Sequence, residues 1–214
     1  MPIARLTAFF KRALKFALPA FAALALSSCY LPVKFDAEIE LDRAGFYSMI
    51  FDGYIAQIEL YRDLAGKKLS KQQEAEKVQT VKTDLTRDSD VSDFAYYGQG
   101  VFRVHWEKKG DLLHTRMITF LRRNNAILSL KYVKDSKLIT MTAGGMSTDQ
   151  RKQLTEAGLT TTGELRLITD AKARGIENNA TEIRPLPSNP RKVVYIWKIR
   201  DLNSPTPRFV MQPG

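Results

Sequence analysis

Alternation of apolar and polar residues is the feature that most constrains how this chain folds. In residues 33–41 every second residue is apolar, and four charged residues stand between them. Successive side chains of a strand point to opposite faces, so this period predicts a β-strand with one buried and one solvated face. Residues 42–45 are typical of a turn, and residues 46–54 read as the returning strand of an antiparallel hairpin.

Further strands are predicted by shorter runs of the same kind. Phe94, Tyr96, Phe102 and Trp106 share one parity and are expected in the core, on one long strand that Gly98 and Gly100 bend or bulge. Residues 108–111, 122–125 and 134–137 read as turns, and three prolines predict a rigid loop at 185–190. The remaining predicted strands are residues 115–121, 126–133, 138–142, 163–169 with a continuation to 176, and 193–199. The tail from Asn203 is expected to be extended or loose.

Two helices are predicted from their start signals. Ser70 with Gln73 and Ser147 with Gln150 have the spacing of capping boxes. The first opens an amphipathic helix over residues 71–87, and the second opens a short helix that stops at Gly158. Residues 55–66 are ambiguous and suit a short helix better than a strand. We therefore predict an α+β fold, with a mainly antiparallel, twisted, partial barrel-like sheet, one main helix and one short helix.

The N-terminal 28 residues have the three parts of a bacterial export signal. The first part, residues 1–15, contains four basic residues. An apolar stretch follows at 16–26, and two serines end the segment. The stretch is about half of the ~20 residues that a spanning helix needs. Leu26, Ser27, Ser28 and Cys29 resemble the lipobox of bacterial lipoproteins. The resemblance implies signal cleavage between Ser28 and Cys29 and a diacylglyceryl group on Cys29; an ordinary secretory signal or an uncleaved anchor is the alternative.

A single lipidated domain is predicted for residues 29–214, facing the periplasm. Cys29 is the only cysteine, so the domain cannot rely on an internal disulfide. Tyr30 follows it where an aspartate would mark retention in the inner membrane, which implies the outer membrane, with the outer leaflet of the inner membrane as the alternative. Residues 1–28 hold four of the 33 basic residues and none of the 23 acids, which leaves 29 against 23 and a net charge of +6.

Recognisable catalytic motifs are sparse. His105 has the opposite parity to Trp106 and is expected on a polar face, and His114 lies near a turn. Neither belongs to a set of metal ligands with recognisable spacing, and the chain has no nucleophile elbow and no glycine-rich phosphate loop. Basic residues are scattered rather than gathered with aromatics, which disfavours nucleic acid. We expect a non-enzymatic protein with no cofactor and no metal.

Two ends of the chain resemble LppM-type bacterial lipoproteins. The first is the lipobox with the acidic alternating strand and its hairpin. The second is a glycine-led strand at 163–167, an asparagine-containing loop at 178–181 and a strand around Trp197. The resemblance implies a lipid-anchored α+β domain that binds a lipid or glycolipid and has no catalytic residues.

Three functions follow from the sequence as alternatives. The leading one is a membrane-tethered protein, held by the acyl chains on Cys29, that binds a lipid or an envelope partner. The second is a structural or assembly subunit of an outer-membrane protein complex, since the edges of antiparallel sheets are natural docking sites. The third is an envelope hydrolase that uses His105 or His114. No ligand-binding residue is identified by the sequence.

Overall fold

The computed structural model describes residues 30–87, 90–120, 127–171 and 175–214. Its strands are β1 (Tyr30–Leu41), β2 (Phe46–Gln57), β3 (Val91–Gly98), β4 (Val101–Asp111), β5 (Met117–Phe120), β6 (Leu128–Val133), β7 (Leu138–Ala143), β8 (Thr162–Asp170), β9 (Gly175–Asn178), β10 (Glu182–Leu186), β11 (Asn189–Ile199) and β12 (Arg208–Met211). Its helices are α1 (Ile58–Ala65), α2 (Lys71–Thr86), α3 (Leu112–Thr115) and α4 (Thr148–Glu156). Leu26, Ser27, Ser28 and Cys29 lie outside the described residues, so the signal peptide and the lipidation site stay predictions.

The described strands form two sheets. The larger has the order β10-β11-β8-β1-β2-β4-β3, and the smaller has the order β5-β6-β7-β12-β9. Aromatic side chains join them: the rings of Trp106 and Phe120 are 4.7 Å apart between centroids, and those of Tyr195 and Phe209 are 4.8 Å apart. One apolar cluster therefore runs between the facing sheets and includes residues of both.

The predicted single sheet with two helices is wrong. The described residues contain two sheets and four helices, and neither sheet closes into a barrel. The pairing of the described strands is mainly antiparallel, as predicted, with β1 parallel to β8. Alternation specifies which residues of a strand are buried but not which neighbouring strand pairs with it, so it could not separate the two sheets.

The first hairpin is confirmed. β1 pairs with β2 in antiparallel register from Phe35 opposite Gly53 to Leu41 opposite Tyr47. The turn between them closes when the backbone N–H of Asp42 donates to the carbonyl oxygen of Phe46 at 3.0 Å. Alternate apolar residues of both strands, among them Ile39, Leu41, Met49 and Phe51, are buried in the cluster shared with the smaller sheet, as the period of two predicts.

The predicted long strand through Phe94 and Trp106 is instead a hairpin of β3 and β4. Gly98, Gln99 and Gly100 all have positive φ, at 98°, 49° and 73°, so the glycines reverse the chain where a bend or a bulge within one strand was expected. Residues 108–111, predicted as a turn, belong to β4 and pair with β2. The expected placement of the aromatics holds, because Phe102 and Trp106 are buried and the other two pack against the same core.

The last third of the chain departs most from the prediction. β8 does not continue to residue 176, because β9 belongs to the smaller sheet. Pro185 lies in β10, which is an edge strand of the larger sheet. Proline has no N–H to donate, and an edge strand tolerates this on its unpaired side. The tail, which was expected to be extended or loose, forms the extended strand β12 between β7 and β9, with Phe209 and Met211 fully buried.

Both predicted capping boxes are confirmed. The backbone N–H of Gln73 donates to Ser70 Oγ at 3.3 Å, and the Ser70 N–H donates to Gln73 Oε1 at 2.9 Å. At the start of α4 the corresponding distances are 3.2 Å from the Gln150 N–H to Ser147 Oγ and 2.8 Å for the reverse bond. Residues 58–65 form α1, as the ambiguous segment suggested.

Candidate ligand-binding cavity

An apolar cavity of about 330 Å³ lies between the two sheets, at the end that α4 covers. The larger sheet contributes residues of β1, β2, β8 and β11 to its wall, and the smaller sheet contributes residues from the ends of β5, β6 and β7. The start of α1, the residues that lead into α4, and the loop between β11 and β12 close the remaining sides. The cavity is partly open to solvent.

Phe35 is one of the residues that β1 supplies to the wall. Its ring stacks on Phe51 with centroids 5.8 Å apart and an interplanar angle of 14°. Its two neighbours across the sheet are Gly53 and Gly163. A Cβ at Gly163 would lie 2.4 Å from the Phe35 carbonyl oxygen and 2.6 Å from Phe35 Cδ1, so a glycine is required where the ring lies against β8.

α4 is fixed beside the cavity by a second apolar cluster. Leu154, on the buried face of α4, is 6 % exposed and packs with Leu31, Ile58 and Leu202. These partners come from β1, α1 and the loop after β11, so three separate segments hold one short helix. Leu154 also lines the cavity, and the position of α4 therefore sets the shape of this end of the site.

Asn179 fixes the loop that borders the cavity on the other side. Its Nδ2 donates to the carbonyl oxygen of Thr206 at 2.8 Å, and its Oδ1 accepts from Trp197 Nε1 at 2.8 Å. The same oxygen accepts from the backbone N–H of Arg208 at 2.8 Å. This side chain thereby ties residues 205–207, which line the cavity, to β11 and β12.

Two arginines supply the positive charge of the cavity lining. Arg62 of α1 is exposed, and Arg151 of α4 is half-buried. Neither guanidinium makes an ion pair with any of the described residues. Asp201 is the acid of the lining, and one of its carboxylate oxygens accepts the backbone N–H of Asn203 at 2.8 Å. The lining is thus apolar over most of its area and has two cationic groups against one anionic group.

The Nε of Arg151 is buried and has no hydrogen-bond partner among the described residues. Leaving such a donor unsatisfied costs about 1–3 kcal/mol, and more when the group is charged. Buried polar groups in native proteins are satisfied in more than about 90 % of cases. Arg151 thus has a buried, unsatisfied guanidinium N–H and lines a cavity that is apolar over most of its area.

The solvated face of the larger sheet has an ion cluster centred on Arg166. Its guanidinium donates to Asp36, to Glu38 Oε2 at 3.0 Å and to Glu164 Oε1 at 3.0 Å, and these three carboxylates keep the arginine pKa well above its ordinary value. Burial acts in the opposite direction. The acidic residues that alternate along β1 are therefore paired within the sheet, and the cluster joins β1 to β8.

The two histidines lie apart from each other and from the cavity. His105 Nδ1 is 2.8 Å from Asp52 Oδ2, and Arg103 Nη2 donates to Asp52 Oδ1 at 2.6 Å. Hydrogen bonds from Arg103, then from His105, lower the pKa of the Asp52 carboxyl. His105 is on the face opposite Trp106, as predicted, and His114 is exposed in α3. Within the described ranges, no group of three or more His, Cys, Asp and Glu side chains is placed to hold a metal ion.

The sequence identified none of the residues that line this cavity as ligand-binding. The lining residues come from strands of both sheets, from α1 and α4 and from the loop between β11 and β12, and no linear sequence pattern joins them. The one usable signal was Arg151, a basic residue at the fifth position of a capping-box segment, on the same helix as the buried Leu154. Such a residue is also common on solvated helix faces.

Comparison with known proteins finds only distant structural similarity. No family model matches the chain, and no curated protein matches it. Among solved structures, the chain is similar to the folded domain of the Mycobacterium tuberculosis LppM protein, determined by NMR. The identity is 12 % and the TM-score 0.37, over 86 % of this chain and 91 % of that one. The similarity is distant.

None of the helices in the described part of the chain combines the length and the apolar character needed to span a bilayer.

Proposed function

We propose that this chain is a lipid-anchored, non-enzymatic envelope protein whose domain binds a lipid-like ligand in the cavity between its two sheets. The observation that carries the proposal is the cavity itself, which is apolar over most of its lining and contains a few polar groups. Sites for small ligands have this composition and volumes of roughly 300–1,000 Å³. At about 330 Å³, the cavity has room for one flexible apolar chain rather than for a large rigid ligand.

The proposed anchor and the cavity are close in the chain. Tyr30 lines the cavity and directly follows Cys29, and consecutive Cα atoms are about 3.8 Å apart. An acylated Cys29 would hold this end of the domain at the membrane surface, so the ligand would come from the same membrane. We place the anchor in the outer membrane with the domain facing the periplasm; the outer leaflet of the inner membrane is the alternative.

The anchor is tested by the intact mass of the protein purified from its native membranes. We expect a chain that begins at Cys29 and has the added mass of a diacylglyceryl group. A Cys29→Ala variant should keep residues 1–28 and lose the added mass. A wild-type chain that retains residues 1–28 without modification would contradict the anchor.

The cavity is tested by native mass spectrometry of the full chain, purified from membranes into nanodiscs. We expect a noncovalently bound lipid on the wild type. Ala143→Trp, which places a large ring in the cavity lining, should remove it. Ala65→Trp is the matched control, because Ala65 is exposed at the end of α1 and should leave the bound lipid in place.

Two outcomes of this measurement contradict lipid binding in the cavity. One is a wild-type protein with no bound lipid, and the other is equal retention of lipid by both tryptophan variants. The protein's own acyl chain is a competing occupant, and it is recognised by its covalent link to Cys29. In that case the mass of the wild type would equal that of the chain with its covalently attached group, and collisional activation would release no noncovalent lipid.

A further inference from the structure

We infer that the cavity selects lipids with an anionic headgroup and that Arg151 is the residue that binds the carboxylate or phosphate. This inference rests on the proposed function, because it names the chemical class of the ligand in the same cavity. It starts from one atom, the Nε of Arg151, which is buried and has no hydrogen-bond partner among the described residues.

The guanidinium of Arg151 is suited to an anion and to little else. Its Nε is the buried part, while the residue as a whole is half-buried. Arginine stays protonated in proteins, so this part cannot become neutral. Its planar fork of donors matches carboxylate and phosphate oxygens in a bidentate way. A neutral acceptor would satisfy the N–H but not the charge. The acceptor that completes this site is therefore an oxyanion.

The polar side chains of Ser147 and Asp201 make hydrogen bonds elsewhere and do not bind the Nε of Arg151. Ser147, one turn earlier on α4, uses its side chain to cap the helix, accepting the N–H of Gln150. Asp201 accepts hydrogen bonds within its own turn from Asn203 and from the Ser204 hydroxyl. Arg62, the other arginine of the lining, has no ion pair with the described residues and adds a second positive charge.

The rest of the lining binds the apolar part of the same molecule. Phe35, Phe51 and Leu165 face the cavity from the larger sheet, and Phe120 and Leu128 face it from the smaller one. A free anion would gain nothing from these side chains, and a neutral hydrocarbon would gain nothing from Arg151. The combination selects a molecule with an apolar chain and one anionic group.

The test is photocrosslinking of the full chain in phosphatidylcholine nanodiscs. The probes are hexadecyl phosphate and hexadecanol with a diazirine at the same carbon, and the labelled peptides are identified by mass spectrometry. We expect hexadecyl phosphate to label residues of the cavity lining about tenfold more than hexadecanol, as a charge-assisted hydrogen bond predicts. Excess inorganic phosphate should leave this labelling unchanged, since a free phosphate lacks the apolar chain.

Variants assign the preference to Arg151. Arg151→Gln should lower labelling by hexadecyl phosphate about tenfold and leave labelling by hexadecanol unchanged. Arg151→Lys should keep part of the preference, because it retains the charge without the fork. Lys152→Gln removes the same charge from the next residue of α4, whose side chain is 75 % exposed, and should change neither probe.

The outcomes separate this inference from the proposed function. Equal labelling of the cavity by both probes in the wild type would overturn the anionic selectivity and leave lipid binding intact. Equal effects of Arg151→Gln and Lys152→Gln would overturn the role of Arg151. Failure of both probes to label the cavity in the wild type would overturn lipid binding itself. The wild-type comparison decides the selectivity even if Arg151→Gln does not fold.

Discussion

At the scale of single residues, Asp52 shows how neighbours on another strand set the chemistry of a side chain. Asp52 lies on β2, and its partners Arg103 and His105 both lie on β4. Parity along each strand places all three on the solvated face, but only the pairing of β2 with β4 brings them together. The hydrogen bonds they donate lower the pKa of the Asp52 carboxyl.

Replacement of Asp52 by asparagine should therefore destabilise the protein at neutral pH and not at strongly acidic pH. The lowered pKa contributes stability that is complete above the ordinary value of about 3.9 and is lost as the pH falls through the folded value. The side chain is 45 % exposed, so we expect a loss of about 0.5–1 kcal/mol at pH 7. Urea unfolding of wild type and variant between pH 2 and 7 measures it.

Asp135→Asn is the control for this prediction, because Asp135 is exposed in the turn between β6 and β7. Its stability should follow that of the wild type over the same pH range. A difference between wild type and Asp52→Asn that stays constant down to pH 2 would contradict a contribution from the ionised carboxylate.

At the scale of elements, two helices with the same capping motif have different roles. α2 packs Val81 and Leu85 on the core and is joined to the β3–β4 hairpin by Tyr96, whose hydroxyl donates to Glu74. Burial, then this hydrogen bond, raises the pKa of Tyr96. α4 instead covers the end of the cavity. The motif starts a helix in both cases, and the position of the helix decides what it does.

Removing the capping serine of α2 or of α4 should distinguish an effect on the stability of the protein from an effect on lipid binding in the cavity. Ser70→Ala and Ser147→Ala each lose a side-chain acceptor for a helix N–H, which costs about 1 kcal/mol. Both variants should therefore unfold at similarly lower urea concentrations. Only Ser147→Ala should also weaken lipid labelling of the cavity, because the loosened first turn of α4 contains Arg151. Equal labelling by the two variants would show that α4 does not order the site.

Much of each element could be predicted from local sequence, and the reason is physical. A capping box needs residues only three positions apart, so Ser70 and Ser147 marked two helix starts correctly. A hairpin with a short turn is also local, as β1 and β2 show. The role of Gly98 and Gly100 was harder to predict, because glycines occur both at bulges within a strand and at chain reversals. Positive φ at three consecutive residues identifies a chain reversal, and φ is not visible in the sequence.

At the scale of the whole molecule, β12 is the strand that completes the smaller sheet. It lies between β7 and β9, which are far apart in the chain, and its pairing with β7 sets Phe209 opposite Met141. The ring of Phe209 makes a T-shaped contact with the ring of Tyr195 on β11 of the larger sheet. The residues at the end of the chain thus contribute to the core shared by both sheets.

Phe209→Ala should strongly destabilise the protein, in contrast to Val210→Ala on the other face of the same strand. Phe209 is fully buried, and removing a buried phenylalanine ring costs about 3–5 kcal/mol, a large part of the stability of a domain. Val210 is half-buried, and we expect a loss of less than about 1.5 kcal/mol. Urea unfolding compares them. A small effect of Phe209→Ala would contradict the central place of β12.

Local pattern was sufficient for features that depend on neighbours within a few residues: the buried face of β1, the hairpin that follows and the capped starts of two helices. The tertiary structure alone decided which sheet each strand joins, that the tail completes the core, and that Arg151 lies beside an apolar cavity. The physical reason is that the period of apolar side chains specifies which face of a strand or helix is buried, but not which other element packs against that face. The cavity exists only where segments distant in the chain pack incompletely, so the donor of Arg151 that is unsatisfied among the described residues is a property of the fold rather than of the sequence around it.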